Sequence, residues 1–183
     1  EGTLGVITEA MLRLTAKPKF ARTALVEFAA LEDASRTINA ILAAGIVPAT
    51  LELMDETAIA CIEEAMHLGL PLDVEAILLL ETDGSDETSV LRESEAAARI
   101  CMQCGARQVR LAREEVERAK LWQARRSVSP ALARRAPNKL GEDITVPRSA
   151  IPEAVKGLKA ISAKYGMPIV IYGHAGDGNL HPT

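Results

Sequence analysis

The chemistry-bearing residues of this chain concentrate in one string near its end, Tyr172-Gly173-His174-Ala175-Gly176-Asp177-Gly178-Asn179-Leu180-His181-Pro182. Two of the chain's three histidines fall within eight residues there, beside three glycines, a carboxylate and an amide. Imidazoles on a tightly folding loop can converge on one divalent ion through a ring nitrogen each. Asp177 and Asn179 would then fix the ring orientations. Six residues between histidines is, however, neither a zinc-finger nor a metalloprotease spacing. A Gly-rich turn with solvated or hydrogen-bonded histidines explains the string equally well, and spacing identifies no third protein ligand.

A second candidate is Leu121-Trp122-Gln123-Ala124-Arg125-Arg126, where Val116, Ala119, Trp122 and Arg125 recur every three residues along a helix. An arginine ending such a stripe can clamp a carboxylate with its planar fork of donors. Spacing alone favours the plainer reading, a snorkelling arginine near a helix C-terminus. Cys101-Met102-Gln103-Cys104 has redox-motif spacing, but the pair closes a helix rather than opening one, so no dipole activates it. With Cys61 it reads as buried, inert thiols. Glu142-Asp143 and Arg134-Arg135 read as solvated loop charges, and His67 as a surface histidine at a helix end.

These groups must be carried by a folded domain. The 183 residues, 48% hydrophobic and 25% charged, suffice for about one domain with a sizeable core. A net charge of −4 and only five aromatics argue against nucleic-acid binding. The apolar runs are too short to span a bilayer, no signal peptide opens the chain, and three cysteines fit a reducing compartment. The reading is a cytoplasmic domain. Glu1 in place of Met, and an end directly after the glycine-rich string, read as cuts in a longer protein.

Strand and helix patterns alternate. Residues 6–14, 23–28, 50–54, 74–82, 108–111, 144–146 and 168–172 read as extended, the fourth with an apolar run in its middle. Residues 32–44, 87–103, 114–126 and 152–165 read as helices. A further helix follows Asp55 as its cap, and a short one starts with Ser129 as cap and Pro130 in first position. The succession predicts an α+β, ferredoxin-like fold: a mainly antiparallel sheet with helices packed on one face. A doubly wound parallel sheet ranks lower, because no glycine-rich phosphate loop follows the first internal strand.

Five stretches together resemble the vanillyl-alcohol-oxidase-type flavoproteins. Glu1-Gly2-Thr3-Leu4-Gly5-Val6-Ile7-Thr8 is similar to the end of their FAD-binding domain. Leu51 to Asp55, Leu121 to Arg126, Glu142 to Pro147 and the histidine string resemble their C-terminal FAD-linked oxidase domain, as in bacterial glycolate oxidase and D-lactate dehydrogenases. The resemblance implies that residues 1–18 end an FAD-binding domain and residues 19–183 form a substrate cap domain, truncated at its end. It further implies that His174 and His181 bind a divalent metal, commonly zinc, with a third ligand further downstream. Arg125 would hold the carboxylate of a small 2-hydroxy acid, with Asn179 nearby, and Glu1, Gly2, Thr3, Leu4 and Gly5 would help line the FAD site. Hydride would pass from the substrate α-carbon to flavin N5.

Implied partners are the FAD-binding domain of the same protein and other subunits of a glycolate-oxidase-like complex, which could hold the protein at a membrane. Strand edges left at the cut ends could also pair in a homodimer. Two positions depart from the family pattern. Thr183 stands where relatives carry Asn, and Gly141 stands where hydroxyglutarate-type enzymes carry Lys, which favours glycolate or lactate. The alternative is a ferredoxin-like binding module without catalysis. A metal-dependent hydrolase would need three ligands and an acid/base carboxylate that the chain does not supply convincingly.

Overall fold

Strand β3 (Ala76–Gly84) explains the architecture, because Ala76 to Leu80 is apolar without alternation and all five residues are buried. Such a run is stable only where both faces of a sheet are covered. The computed structural model describes residues 3–136 and 138–183. In chain order it contains β1 (Phe20–Phe28), α1 (Leu31–Ala43), β2 (Thr50–Asp55), α2 (Glu56–Met66), β3, α3 (Glu87–Gln103) and β4 (Ala106–Leu111). There follow α4 (Glu115–Arg126), α5 (Val128–Arg135), β5 (Ile144–Thr145), α6 (Ile151–Tyr165), β6 (Tyr172–His174) and β7 (Asn179–Leu180).

The seven strands form one antiparallel sheet in the order β4-β1-β3-β2-β6-β7-β5. Alternation divides its side chains into two cores. Ala24, Val26, Leu51, Leu53, Leu78 and Leu80 meet α1, α3 and α6 on one face. Leu25, Met54, Ile77 and Leu79 meet α2, α4 and α5 on the other. The expectation of helices on one face is therefore corrected: the antiparallel α+β sheet is present, but both of its faces are covered. No helix among the described residues is long and apolar enough to cross a membrane.

Local chemistry sets several boundaries. Asp55 caps α2 by accepting from the Ala58 N–H at 2.9 Å. The helix expected at 87–103 is found at those bounds, capped by Asp86. Helix α5 starts two residues before the expected position, after Ser127, whose side chain makes no capping hydrogen bond, and Pro130 sits third in the helix, where a missing N–H still costs no helical bond. Residues 6–14 form no regular element and lie exposed.

The last strand is also shifted. Its regular part is Tyr172–His174 rather than 168–172, although Val170 and Thr183 still exchange backbone hydrogen bonds of 2.9 and 3.0 Å. The histidine string is thus a hairpin, with His174 ending β6 and His181 just past β7. Glycine is required at Gly178, where φ is +88° and a Cβ would lie 2.1 Å from the Val146 carbonyl oxygen.

Candidate functional site

Register gathers the site on the face that α4 covers. Glu52 of β2 stands opposite His174 of β6, which stands opposite Asn179 of β7. Facing residues of an antiparallel pair project to the same side, so these three side chains are neighbours. The His181 N–H donates to the Tyr172 carbonyl at 2.7 Å, which sets His181 beside Tyr172. The two imidazoles meet edge to face, with centroids 5.0 Å apart.

Each imidazole is held by a carboxylate. His174 Nδ1 lies 2.6 Å from Glu52 Oε1, and His181 Nδ1 lies 2.5 Å from Asp143 Oδ1. A carboxylate only accepts, so each ring donates from Nδ1, and in the neutral imidazole the lone pair then lies on Nε2. That is the state of an imidazole prepared to bind a metal ion or take a proton. The pair fits two ligand positions of a divalent site. No group of three His, Cys, Asp or Glu among the described residues is placed to complete one.

Helix α4 supplies the positive charge. Arg118, Trp122 and Arg125 follow one helical row facing the sheet. The buried Glu81 accepts from Arg118 Nε at 3.0 Å, Trp122 Nε1 at 2.9 Å and Thr23 Oγ1 at 2.5 Å. Burial works against the Glu81 carboxylate, but these hydrogen bonds and the Arg118 charge outweigh it and hold the group below the ordinary glutamate range. Seven residues after Arg118, Arg125 donates from Nε to Glu52 Oε2 at 2.7 Å and lies over the Tyr172 ring, 5.4 Å from its centroid. A cavity of about 260 Å³ opens beside His174 and Glu52, with Val47, Pro48 and Asp177 also on its wall.

Over residues 17–183 the chain matches the family described as FAD linked oxidases, C-terminal domain. The chain belongs to this family. It is 46% identical to the glycolate oxidase subunit GlcD of Bacillus subtilis over 183 residues, covering all of this chain and 39% of that protein. To GlcD of Escherichia coli K12 it is 41% identical, again over all of this chain and 36% of that protein. A D-lactate dehydrogenase of Anaerostipes hadrus is 28% identical over 99% of this chain and 39% of its own length. Among solved structures, alkyldihydroxyacetonephosphate synthase superposes with a TM-score of 0.67 at 16% identity, over 98% of this chain and 39% of that one. That last likeness shows the fold. The chain thus spans under two fifths of the length of the relatives it matches.

Within this FAD-linked oxidase C-terminal domain the structure brings together His174, His181 and Arg125, and places Asn179 beside them. The Asn179 Oδ1 is buried and accepts nothing from the described residues. Asp177 does not orient a ring. It caps its own turn by accepting from the Asn179 N–H at 3.0 Å. The ring-orienting carboxylates are Glu52 and Asp143, so Asp143 is more than a solvated loop charge. Arg125 is not a snorkelling surface residue either, since its side chain is 12% exposed. Arg126 is the exposed member of that pair.

Thr3, Leu4 and Gly5 are exposed and form no cradle among the described residues, while Glu1 and Gly2 lie outside those residues. Sequence reasoning missed Glu52 and Glu81 as site residues. The available signal was a carboxylate set directly beside buried apolar residues in each of two strands, Leu51-Glu52-Leu53 and Leu79-Leu80-Glu81. The thiols match their expectation in part: all three are free, Cys61 and Cys101 are buried, and burial pushes the Cys101 thiol up to about 12, but Cys104 is partly exposed at the end of α3.

Proposed function

We propose that this domain is the substrate cap of an FAD-dependent 2-hydroxy-acid dehydrogenase or oxidase of the glycolate or D-lactate type. Residues 1–18 would end its FAD-binding domain, with residues 1–5 toward the flavin, and residues 19–183 would form the cap. The first four strands, in the order β4-β1-β3-β2, are read as its ferredoxin-like part. The observation that carries the proposal is the pair of imidazoles 5.0 Å apart, each anchored through Nδ1, on the same sheet face as Arg125.

When bound, a divalent ion such as zinc would acidify the substrate hydroxyl, and FAD would accept hydride from the α-carbon at N5. His174 and His181 would hold that ion through Nε2. Arg125 Nε is occupied by Glu52, and its two terminal nitrogens donate to none of the described residues, which leaves the forked edge for a substrate carboxylate. Asn179 would add a second polar contact for the acid by donating from its amide N–H groups, its buried Oδ1 accepting nothing from the described residues. An imidazole Nε2 not engaged by an ion has the lone pair to take the hydroxyl proton. Holding the acid at both ends is what converts a collision into an oriented encounter.

GlcD-like identity supports a place in a glycolate-oxidase-like complex in the cytoplasm, reaching a membrane surface through partner subunits. Edge strands β4 and β5 are the places where a second copy could pair. The test uses the full-length parent protein, dialysed and analysed for flavin and metal, then mixed with glycolate or D-lactate without oxygen. Bleaching of a flavin spectrum, lost in His174→Ala or His181→Ala, is the expected result. A protein that FAD cannot reconstitute, or a flavin that neither acid reduces, overturns the reading.

A further inference from the structure

Glu52 uses both of its carboxylate oxygens on groups of different chemistry. Oε1 takes the His174 Nδ1 proton at 2.6 Å, and Oε2 takes the Arg125 Nε proton at 2.7 Å. The side chain is only 8% exposed, in the middle of a strand whose neighbours Leu51 and Leu53 point into the opposite core. Its strand is paired on both sides, to β3 and β6, so the carboxylate is fixed from the backbone outward. The partners arrive from 122 residues downstream on β6 and 73 downstream on α4. No other side chain among the described residues hydrogen-bonds both a histidine and an arginine of the site.

We infer that Glu52 is a shared positioning residue, which sets the His174 tautomer with one oxygen and the Arg125 orientation with the other. The inference rests on the function proposed above and names the residue that holds its two halves in register. Arg125 is gripped at Nε, the inner end of the guanidinium, so its forked outer edge stays available. His174 is gripped at Nδ1, so its Nε2 stays unprotonated. One buried carboxylate therefore prepares the group that takes the acid's carboxylate and the group that serves its hydroxyl. A buried carboxylate kept only for packing shows its loss in stability alone, whereas one that aims two reacting partners shows it in the chemistry of the site.

Glu52→Gln in the full-length holoenzyme separates the two roles. An amide has one accepting oxygen for two donors. Arginine cannot reverse its role, but an imidazole can, so the Gln oxygen stays with Arg125 and the amide N–H turns His174 into an Nδ1 acceptor. The proton then sits on Nε2, where it blocks both metal binding and proton uptake.

The expected result is a loss of about 10- to 100-fold in metal affinity. It should come with a matching fall in kcat, while KM for glycolate or D-lactate changes less than about threefold, because Arg125 keeps its partner. In histidine-labelled protein the His174 Nδ1 ¹⁵N signal should move from the protonated to the unprotonated range. Glu52→Asp, one methylene shorter, should fail to restore the wild-type split. Wild-type kcat, metal content and His174 ¹⁵N signals in Glu52→Gln would overturn the proposal, and so would a lowered melting temperature as the sole change. If neither acid reduces the wild-type flavin, the functional reading fails, yet the His174 tautomer still tests Glu52.

Discussion

The indole N–H of Trp122 donates to Glu81 Oε2 at 2.9 Å, fastening the middle of α4 to the interior strand β3. The same oxygen accepts from Arg118 Nε and Thr23 Oγ1, so three elements, α4, β3 and β1, meet at one atom. Arg125 sits one turn beyond Trp122 and takes its position over the sheet from this clamp. Glu81→Ala leaves Arg118 and the indole N–H without their buried acceptor. We expect a loss of about 3–5 kcal/mol, the range for breaking a buried pair by deleting one member. Urea unfolding followed by fluorescence of Trp122, the chain's single Trp, measures it. A change under about 0.5 kcal/mol, the level of ordinary surface substitutions, would show that the clamp does not hold α4.

Asp55 predicts a pH dependence. Its carboxyl is raised to about 6 chiefly by burial, against the N–H groups of Ala58 and Ile171 and the Lys159 charge, which favour the ionised form. A folded-state value above the unfolded 3.8 means that the native chain binds more protons between about pH 4 and 6. The stabilisation from this group is thus complete below pH 4 and is lost as the pH rises through 6. The loss is on the order of 3 kcal/mol at 1.36 kcal/mol per unit. Unfolding free energies at pH 4.5 and 6.5 should show about 2 kcal/mol of this fall in the wild type and a flatter profile in Asp55→Asn. Parallel profiles would contradict it. Glu81, held below the ordinary range, acts with the opposite sign and at lower pH.

The cysteine reading has a chemical test. Cys101 is buried with its thiol pushed up to about 12, while Cys104 at the end of α3 is partly exposed. Iodoacetamide at pH 8 should label Cys104 in the native chain and leave Cys101 and Cys61 unlabelled until denaturant is added, as read by peptide mass spectrometry. Rapid native labelling of Cys101 would mean that the helix end opens readily.

Local chemistry made much of this fold readable before any coordinates. Helical periodicity places α3 at 87–103, the bounds it has, and Asp55 announces α2 by capping it. What resisted reading was set by distance or by polarity. His174 meets Glu52 across 122 residues and His181 meets Asp143 across 38, pairings that no spacing rule reports. On α4 the row through Val116 and Ala119 looked like the inner stripe, yet Val116 is 65% exposed. The helix buries Leu121 and Ala124 in the second core, and the row Arg118-Trp122-Arg125 beside them is polar because it faces Glu81 and Glu52. The apolar run of β3 was visible, and its meaning, helices on both faces, follows once the missing polar side is noticed.

Gly178 should tolerate no side chain. Besides its φ of +88°, a Cβ there would overlap the Val146 carbonyl that ends the β5–β7 pairing. Gly178→Ala therefore pushes β5 away and carries Asp143, which directly precedes it, off His181. Strain at positive φ alone costs roughly 1 kcal/mol, and the overlap adds to it. Amide exchange at Val146, whose N–H donates to the Gly178 carbonyl at 3.0 Å, should quicken, while exchange in the distant β1–β3 pairing stays unchanged. Unchanged protection at Val146 would mean that the hairpin absorbs the methyl.

Asp143 offers the complementary test of the second imidazole. It is 63% exposed at its side chain, so the contact with His181 Nδ1 adds little to stability, unlike the buried Glu52 contact. Its value lies in orientation. Asp143→Ala removes the acceptor that keeps the His181 proton on Nδ1 and lets the ring turn or change tautomer. In the full-length parent the melting temperature should move by no more than about 2 °C, since an exposed pair is worth under about 1 kcal/mol. Metal affinity, read by competition with a chelator, should still fall by about tenfold or more, as losing a partner behind a metal-bound imidazole does. The two readouts point apart for a reason: a group that orients a ligand from the surface contributes to the site and not to the fold. If metal affinity and stability stay level together, His181 keeps its orientation from the 2.7 Å backbone contact with Tyr172, and Asp143 has no part in the site.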